Sequence, residues 1–227
     1  MIGKRESLQL SRQIPKGRVS RSAQSRYNSR VHMSSPLTIA IANLSSSEAS
    51  AREVAAAEIF AAGRGRAERA AEAWWADPEL AGLLSGPKPR VTVGLAVQRE
   101  TFSKLRAAHG VSRLAEVPSE QDAEEFELHF PDGVSLDILT SRAPGGSGAI
   151  AGFLEKFGEG IQQVEFLCSN VDRATEILKE KFGVGAIYSD TRPGTDGTRI
   201  NFFLTAVPGG GKVLIELYEP AAKTHQK

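Results

Sequence analysis

The chain is poor in the residues that staple or metallate small folds. Cys168 is the only cysteine in 227 residues, which excludes an internal disulfide framework and any cysteine-based zinc site. No apolar run approaches the roughly 20 residues of a membrane-spanning helix; "LTIAIANL" at 37–44 is among the longest. Charge of one sign is also lacking. The 28 Lys and Arg offset 27 Asp and Glu to a net +1, so no general nucleic-acid surface is expected. What is present, 41% hydrophobic and 24% charged residues, can bury a core. These features together describe a soluble globular protein of a reducing compartment.

The near-neutral total conceals an uneven distribution. Residues 1–32 carry eight Lys and Arg and one acid, Glu6, for a net +7, and they are rich in Ser; the other 195 residues carry −6. An Arg/Ser-rich, acid-poor N-terminus has the composition of an organelle transit peptide. That reading favours the mitochondrial matrix, with the plastid as the second choice. A disordered basic arm or vector-derived residues, with "HMSS" at 32–35 ahead of a second Met33, are the alternatives, and they leave a cytoplasmic protein.

Residues 33–89 read as a helical extension and linker. Ser46 and Ser47 are positioned to cap an Ala/Glu/Arg-rich helix, "GRG" at 63–65 interrupts it, and a second segment bearing Trp74 and Trp75 stops near Asp77–Pro78. The two tryptophans are expected to anchor this extension on the main domain. "SGPKP" at 85–89 has linker composition.

From residue 90 a unit of strand, helix and three strands is written twice. The first copy, 90–142, has "VTVGLAV" (91–97) as strand, 99–110 as helix, and "SRLAEVP" (112–118), "EEFELHF" (124–130) and "VSLDILT" (134–140) as strands. "PDG" at 131–133 turns the last two into a hairpin. Residues 143–160 form a linker containing the flexible "APGGSG". The second copy, 161–220, has "IQQVEFLC" (161–168), a helix over 171–183 with Asp172 at its positive end, then "VGAIYSD" (184–190), "TRINFFLTAV" (198–207) and "KVLIELYEP" (212–220). Residues 221–227 are a tail. Internal repetition of this kind defines the architecture. The expected fold is α+β: two βαβββ modules curving into one eight-stranded mixed sheet, with helices outside and a shared concave pocket.

Strand alternation then sorts the side chains. Val93, Leu95 and Val97 should face helices and Thr92, Gly94 and Ala96 the pocket. Likewise Val164, Phe166 and Cys168 face helices, and Gln163, Glu165 and Leu167 the pocket. Phe126, Leu128 and Phe130 take the apolar face of their strand, leaving Glu125, Glu127 and His129 on the other. Asp137 and Glu216 sit mid-strand at equivalent repeat positions, and a buried carboxylate is costly unless paired or bound to a cation. Other signals are weak. "PGGGK" (208–212) lacks the spacing and hydroxyl of a phosphate loop and reads as a hairpin. "GRGRAE" (63–68) lacks the third glycine of a dinucleotide fingerprint. His32 and His225 lie in the tails, and His109 ends a helix facing solvent.

Residues 91–220 resemble the vicinal oxygen chelate (glyoxalase/bleomycin-resistance) superfamily, and within it the methylmalonyl-CoA epimerase family. "FLEKFGEGIQQVEF" (153–166), "RPGTDGTRINFF" (192–203) and "GGKVLIELYEP" (210–220) carry the resemblance. It implies an isomerase or lyase that abstracts a proton next to a carbonyl, with a divalent metal stabilising the enolate. It further implies Glu127, Glu165 and Glu216 as proton-transfer groups, Arg199 and Asn201 as substrate contacts, and Asp137, Gln163 and Glu216 as metal ligands. The implied cofactor is Mg, Mn, Co or Zn. The family carries histidine where Thr92 and Gln163 stand, so the remaining oxygen donors suit Mg²⁺, Ca²⁺ or Mn²⁺ better; Glu165 and His129 are compensating donors within reach. The alternative is a non-catalytic small-molecule-binding or structural subunit with a degenerate, metal-free site, in which Asp137 and Glu216 bond to Arg199, Thr92 or water. Expected partners are a small molecule such as an acyl-CoA and a second copy or an organellar complex, with no nucleic acid.

Overall fold

The computed structural model describes residues 35–85, 89–143 and 145–221. The basic segment 1–32, His32, most of "SGPKP" and the tail with His225 lie outside these residues. Among the described residues, no helix is long and apolar enough to cross a membrane.

Seven strands form one mixed sheet: β1 (Val91–Ala96), β2 (Ala123–His129), β3 (Ser135–Ser141), β4 (Gly160–Leu167), β5 (Arg192–Pro193), β6 (Arg199–Ala206) and β7 (Lys212–Glu219). Their order is β2-β3-β1-β4-β7-β6-β5. The central pair β1 and β4 is antiparallel, each is flanked by a parallel neighbour (β3, β7), and beyond each lies an antiparallel one (β2, β6). The two halves are therefore related by a pseudo-twofold between β1 and β4. Register makes the equivalence residue-specific: Gly94 sits beside Asp137 as Glu165 sits beside Glu216.

The sheet has seven strands rather than eight because each module loses the strand expected directly after its helix. In the first, residues 112–118 leave the sheet after Val111, which has a positive φ of 57°. They keep one backbone bond to the sheet, from Ala115 N–H to the Glu125 carbonyl, and Pro118 has no N–H to offer. In the second, residues 184–190 keep one backbone bond to the sheet, from Ile187 N–H to the Phe202 carbonyl. The two-residue β5 follows, pairing with β6. Both segments are left free to run over the mouth of the concave face.

Among the described residues seven α-helices accompany the sheet: α1 (Pro36–Asn43), α2 (Ala49–Ala70), α3 (Glu72–Ala76), α4 (Pro78–Leu83), α5 (Arg99–Ala108), α6 (Ala149–Phe157) and α7 (Val171–Phe182). α5 packs on β3, and α7 on β6 and β7. The seam between the two modules is covered by α2, which lies on β1, β4 and β7. Its buried stripe is Ala55, Ala56, Ile59, Phe60, Gly63 and Ala67, spaced for one helical face and made largely of small side chains. α2 runs unbroken through "GRG", contrary to the expected interruption. Gly63 is there for closeness: a Cβ would come within 2.7 Å of Val93 Cγ1. Trp74 and Trp75 seat the extension as expected, meeting Phe203 and Phe166 edge-on at 6.2 and 5.2 Å. His109 is not a solvent group, since its Nε2 bonds the Leu44 carbonyl at 2.9 Å and its ring meets Phe130, joining the extension to the first module.

The segment 143–160 is likewise more than a linker. α6 lies within it and closes one end of the concave face, burying Ile150 and Leu154 with Ala96, Val117, Ala123 and Leu139 in a second small core.

The candidate active site

The concave face encloses a cavity of about 810 Å³. Alternation in the strands aims Thr92, Glu125, Asp137, Gln163, Glu165 and Glu216 into it, while Val93, Val164, Phe166, Ile215 and Leu217 on the same strands enter the helix-side core. Asp137 and Glu216 thus enter one pocket from equivalent places, as the repeat predicts.

Gln163 joins the two central carboxylates. Its Nε2 donates to Glu165 Oε1 at 3.0 Å and to Glu216 Oε2 at 2.7 Å, with all three side chains buried. This placement needs Gly94 opposite, where a Cβ would come within 2.6 Å of Gln163 Cγ. Desolvation and mutual repulsion shape the protonation of the group. Burial, then the neighbouring Glu165 and Glu125, hold Asp137 well above the usual carboxylate range. Burial and the same two neighbours do likewise for Glu216. Glu125 is pushed up to about 8 by burial and by Glu165. Burial also raises Glu165, opposed by hydrogen bonds with Asp137 and Gln163. The pocket therefore favours protonated carboxyl groups, the form in which an acid can donate a proton.

The other site candidates distribute differently. Glu127 lines the cavity from the edge strand β2, exposed and 3.2 Å from His129 Nε2. His129 itself bonds Ser135 and is exposed, so it is not among the cavity-lining side chains. Arg199 and Asn201, expected at the substrate, lie outside the cavity because alternation in β6 turns Ile200 and Phe202 inward instead. Arg199 pairs with Asp172 and Glu219. Asn201 is buried and ties down the 184–190 segment by donating to the Tyr188 carbonyl. Neither Asp137 nor Glu216 bonds to Arg199.

Strand alternation alone overlooked Gln162, Tyr188 and Arg192, all of which line the cavity. Arg192 stacks over the Tyr188 ring, 4.1 Å from its centroid. The two module loops meet above the pocket. Arg113 pairs with Asp196, the Glu116 N–H donates to Asp196 Oδ1 at 2.9 Å, and the Asp196 N–H donates back to the Glu116 carbonyl. Thr195 Oγ1 donates to Glu125 at 3.1 Å, coupling this clasp to the acids below.

A transition metal does not fit this donor set. Thr92 and Gln163 supply no imidazole, and the Gln163 amide turns its nitrogen, a donor, toward the carboxylates where a cation would require acceptors. Among the described residues no three His, Cys, Asp or Glu side chains are grouped to hold a metal ion.

No family model and no curated protein matches the sequence. Solved structures do. The methylmalonyl-CoA epimerase of Mycobacterium tuberculosis is 34% identical over 58% of this chain and 87% of that one, with a TM-score of 0.47. A variant of the Streptomyces coelicolor methylmalonyl-CoA epimerase in complex with 2-nitronate-propionyl-CoA is 29% identical over 58% of this chain and 96% of that one, with a TM-score of 0.45. A methylmalonyl-CoA epimerase in complex with methylmalonyl-CoA and NH4+ is 29% identical over 59% and 96%, with a TM-score of 0.46.

Proposed function

The chain belongs to the vicinal oxygen chelate superfamily, by 34% identity across 87% of an epimerase, and from that premise we propose that it exchanges a proton at the carbon next to a thioester carbonyl. The substrate class is a small acyl-CoA, in keeping with the CoA thioesters held by two of the similar epimerases. The observation that carries this reading is the Gln163 amide holding Glu165 and Glu216 together inside the cavity, at 3.0 and 2.7 Å. One of the two, ionised, takes the proton from the α-carbon; the other, protonated, returns one to it. Asp137, whose protonated form burial favours, donates a hydrogen bond to the enolate oxygen formed in between. Glu127, exposed at the edge, passes protons to and from solvent.

No step in this scheme runs through a metal. Coordination by Asp137, Gln163 and Glu216 requires the Gln163 amide to turn over and present its oxygen. Elemental analysis and a chelator titration of the purified protein test that arrangement separately.

The deciding experiment follows α-deuterium incorporation from D₂O into methylmalonyl-CoA and other short acyl-CoA thioesters by NMR. Exchange that falls at least about a hundredfold in Glu216→Gln is expected. No exchange into any thioester at high protein concentration removes the catalytic reading. A second reading, a thioester-binding subunit without catalysis, is favoured by Thr92 and Gln163 standing where the family carries histidine. It predicts binding by calorimetry with no exchange.

The basic residues 1–32 are proposed as an organelle address, mitochondrial before plastid. A reporter fused behind them is expected to enter the organelle and to stay in the cytosol when the arginines are changed to glutamine. A homodimer is the proposed assembly, tested by sedimentation equilibrium.

A further inference from the structure

The two modules build the same wall of the cavity from different side chains. In the first, β2 pairs with β3 so that Glu127 faces Asp137 and Glu125 faces Leu139. In the second, β6 pairs with β7 so that Phe202 faces Glu216 and Ile200 faces Tyr218. The pseudo-twofold that carries Asp137 onto Glu216 therefore carries Glu127 onto Phe202 and Glu125 onto Ile200. One step further along, His129 opposite Ser135 corresponds to Leu204 opposite Leu214. The outer strand of one module is thus acidic toward the cavity, and that of the other is hydrocarbon. The difference is confined to the concave face. On the helix side both strands bury apolar side chains, Phe126 and Leu128 in β2 and Phe203 in β6.

The hydrocarbon wall is held in place yet only partly covered. The Ile187 N–H donates to the Phe202 carbonyl at 2.7 Å, and Asn201 Nδ2 donates to the Tyr188 carbonyl at 3.2 Å. These bonds seat Ile187 and Tyr188 at the cavity, where the Tyr188 ring meets Phe202 edge-on at 6.0 Å. Even so, Ile187 and Leu204 are 52% and 51% exposed. Apolar side chains left in water beside a cavity mark a surface that a ligand covers. This surface is continuous with the proposed reacting centre, because Phe202 stands opposite Glu216 itself. It also has a direction. Exposed Arg90 lines the other end of the cavity, where its carbonyl accepts from the Leu167 N–H and Leu167 lies in register with Tyr218. A thioester with its acyl chain toward Leu204 leaves its phosphates on that basic side.

We infer that the β6 wall receives the hydrocarbon chain of the acyl group, running from the carbon beside Glu216 along Phe202 to Leu204. This rests on the thioester reading and narrows it to apolar acyl chains of roughly six carbons, the length that two residues of strand, about 7 Å, can line. Burial of each methylene against Phe202, Leu204, Leu214 and Ile187 supplies the preference.

The test is titration calorimetry of the full chain with propionyl-, butyryl- and hexanoyl-CoA. Affinity is expected to rise about threefold per added methylene, so that hexanoyl-CoA binds at least about tenfold tighter than propionyl-CoA. Leu204→Ser, with unchanged circular dichroism, is expected to cut that ratio at least about threefold and to leave propionyl-CoA as it was. The matched change on the acidic wall, His129→Ser, is expected to leave the ratio intact. A flat series, or an equal loss in His129→Ser, overturns the wall assignment while leaving the thioester reading in place. So does a ratio that survives Leu204→Ser; a change in sedimentation then gives the patch to a second copy. If no CoA ester binds, the thioester reading fails, and 1-hexanol against ethanol judges the wall alone. Shifts of the Ile187, Leu204 and Leu214 methyl signals in NMR with 1-hexanol, and none with ethanol, sustain it. Silence with 1-hexanol, or an equal response to ethanol, overturns it.

Discussion

On the convex side of the sheet, Val93, Val164, Phe166, Ile215 and Leu217 are buried against helices in one continuous apolar core. One residue along the same strands, Thr92, Gln163, Glu165 and Glu216 line a cavity and put acids against one another. Both faces are buried, and they bear differently on stability. The convex face gains from removing apolar area from water. The concave face bears the cost of desolvated carboxylates that hold their protons unusually tightly. The period of two in a strand lets one stretch of sequence serve both ends, so that substitutions on one face need not disturb the other.

Four measurements sharpen or break that contrast, from the largest effect on stability to the smallest. Trp74→Ala removes the convex-side anchor against Phe203 and is expected to lower the unfolding free energy by about 3–5 kcal/mol in denaturant titration. A loss below about 1 kcal/mol breaks the claim that the helical extension belongs to the core.

The second measurement is stability against pH. Glu125 gives up its proton near the ordinary 4.5 when unfolded but near 8 when folded. Between those values the folded chain holds the extra proton, so stability is expected to fall as pH rises from about 4.5 to about 8, and to level off above. Asp137 and Glu216, raised in the same direction, act with the same sign. Glu125→Gln flattens the slope across that window, and a slope that survives it assigns the effect elsewhere.

Third, Glu216→Gln replaces a buried acid by a neutral side chain of similar shape. Its melting temperature is expected to stay level or rise, even though the proposed proton exchange is lost. A loss like that of Trp74→Ala puts Glu216 in the structural group. Last, Asp196→Ala unties the two loops over the pocket. Faster amide hydrogen exchange confined to residues 112–121 and 192–198 is expected, with global stability almost unchanged.

Much of this layout was legible in the sequence because a repeat supplies its own check. Thr92 aligns with Gln163 and Asp137 with Glu216 in the sequence, and the register of β1 with β3 and of β4 with β7 agrees. What could not be read was decided by contacts between distant segments. "SRLAEVP" has strand composition, yet its partners are Glu125 and Asp196, and it runs across the pocket instead. Gly63 looks like a helix break until Val93, thirty residues later, is set against it. Alternation within β4 does not place Gln162, because the bulge that turns it to the cavity exists only against the register of β1, where Gly94 faces Gln163 and Leu95 faces Ile161. Arg199 and Asn201 follow from the resemblance alone, whereas alternation with Phe202 inward turns them away from the pocket.

The helix laid over the seam also bears on biosynthesis. α2 leaves the ribosome before any strand of the sheet, yet two of the four strands it meets, β4 and β7, begin at residues 160 and 212. Its alanine-lined side must therefore wait, incompletely covered, until β7 has been made. The emergence of β7, rather than of the first module, is the event that seals this face of α2, and a ribosome stalled before β7 would hold a polypeptide with that face only partly covered.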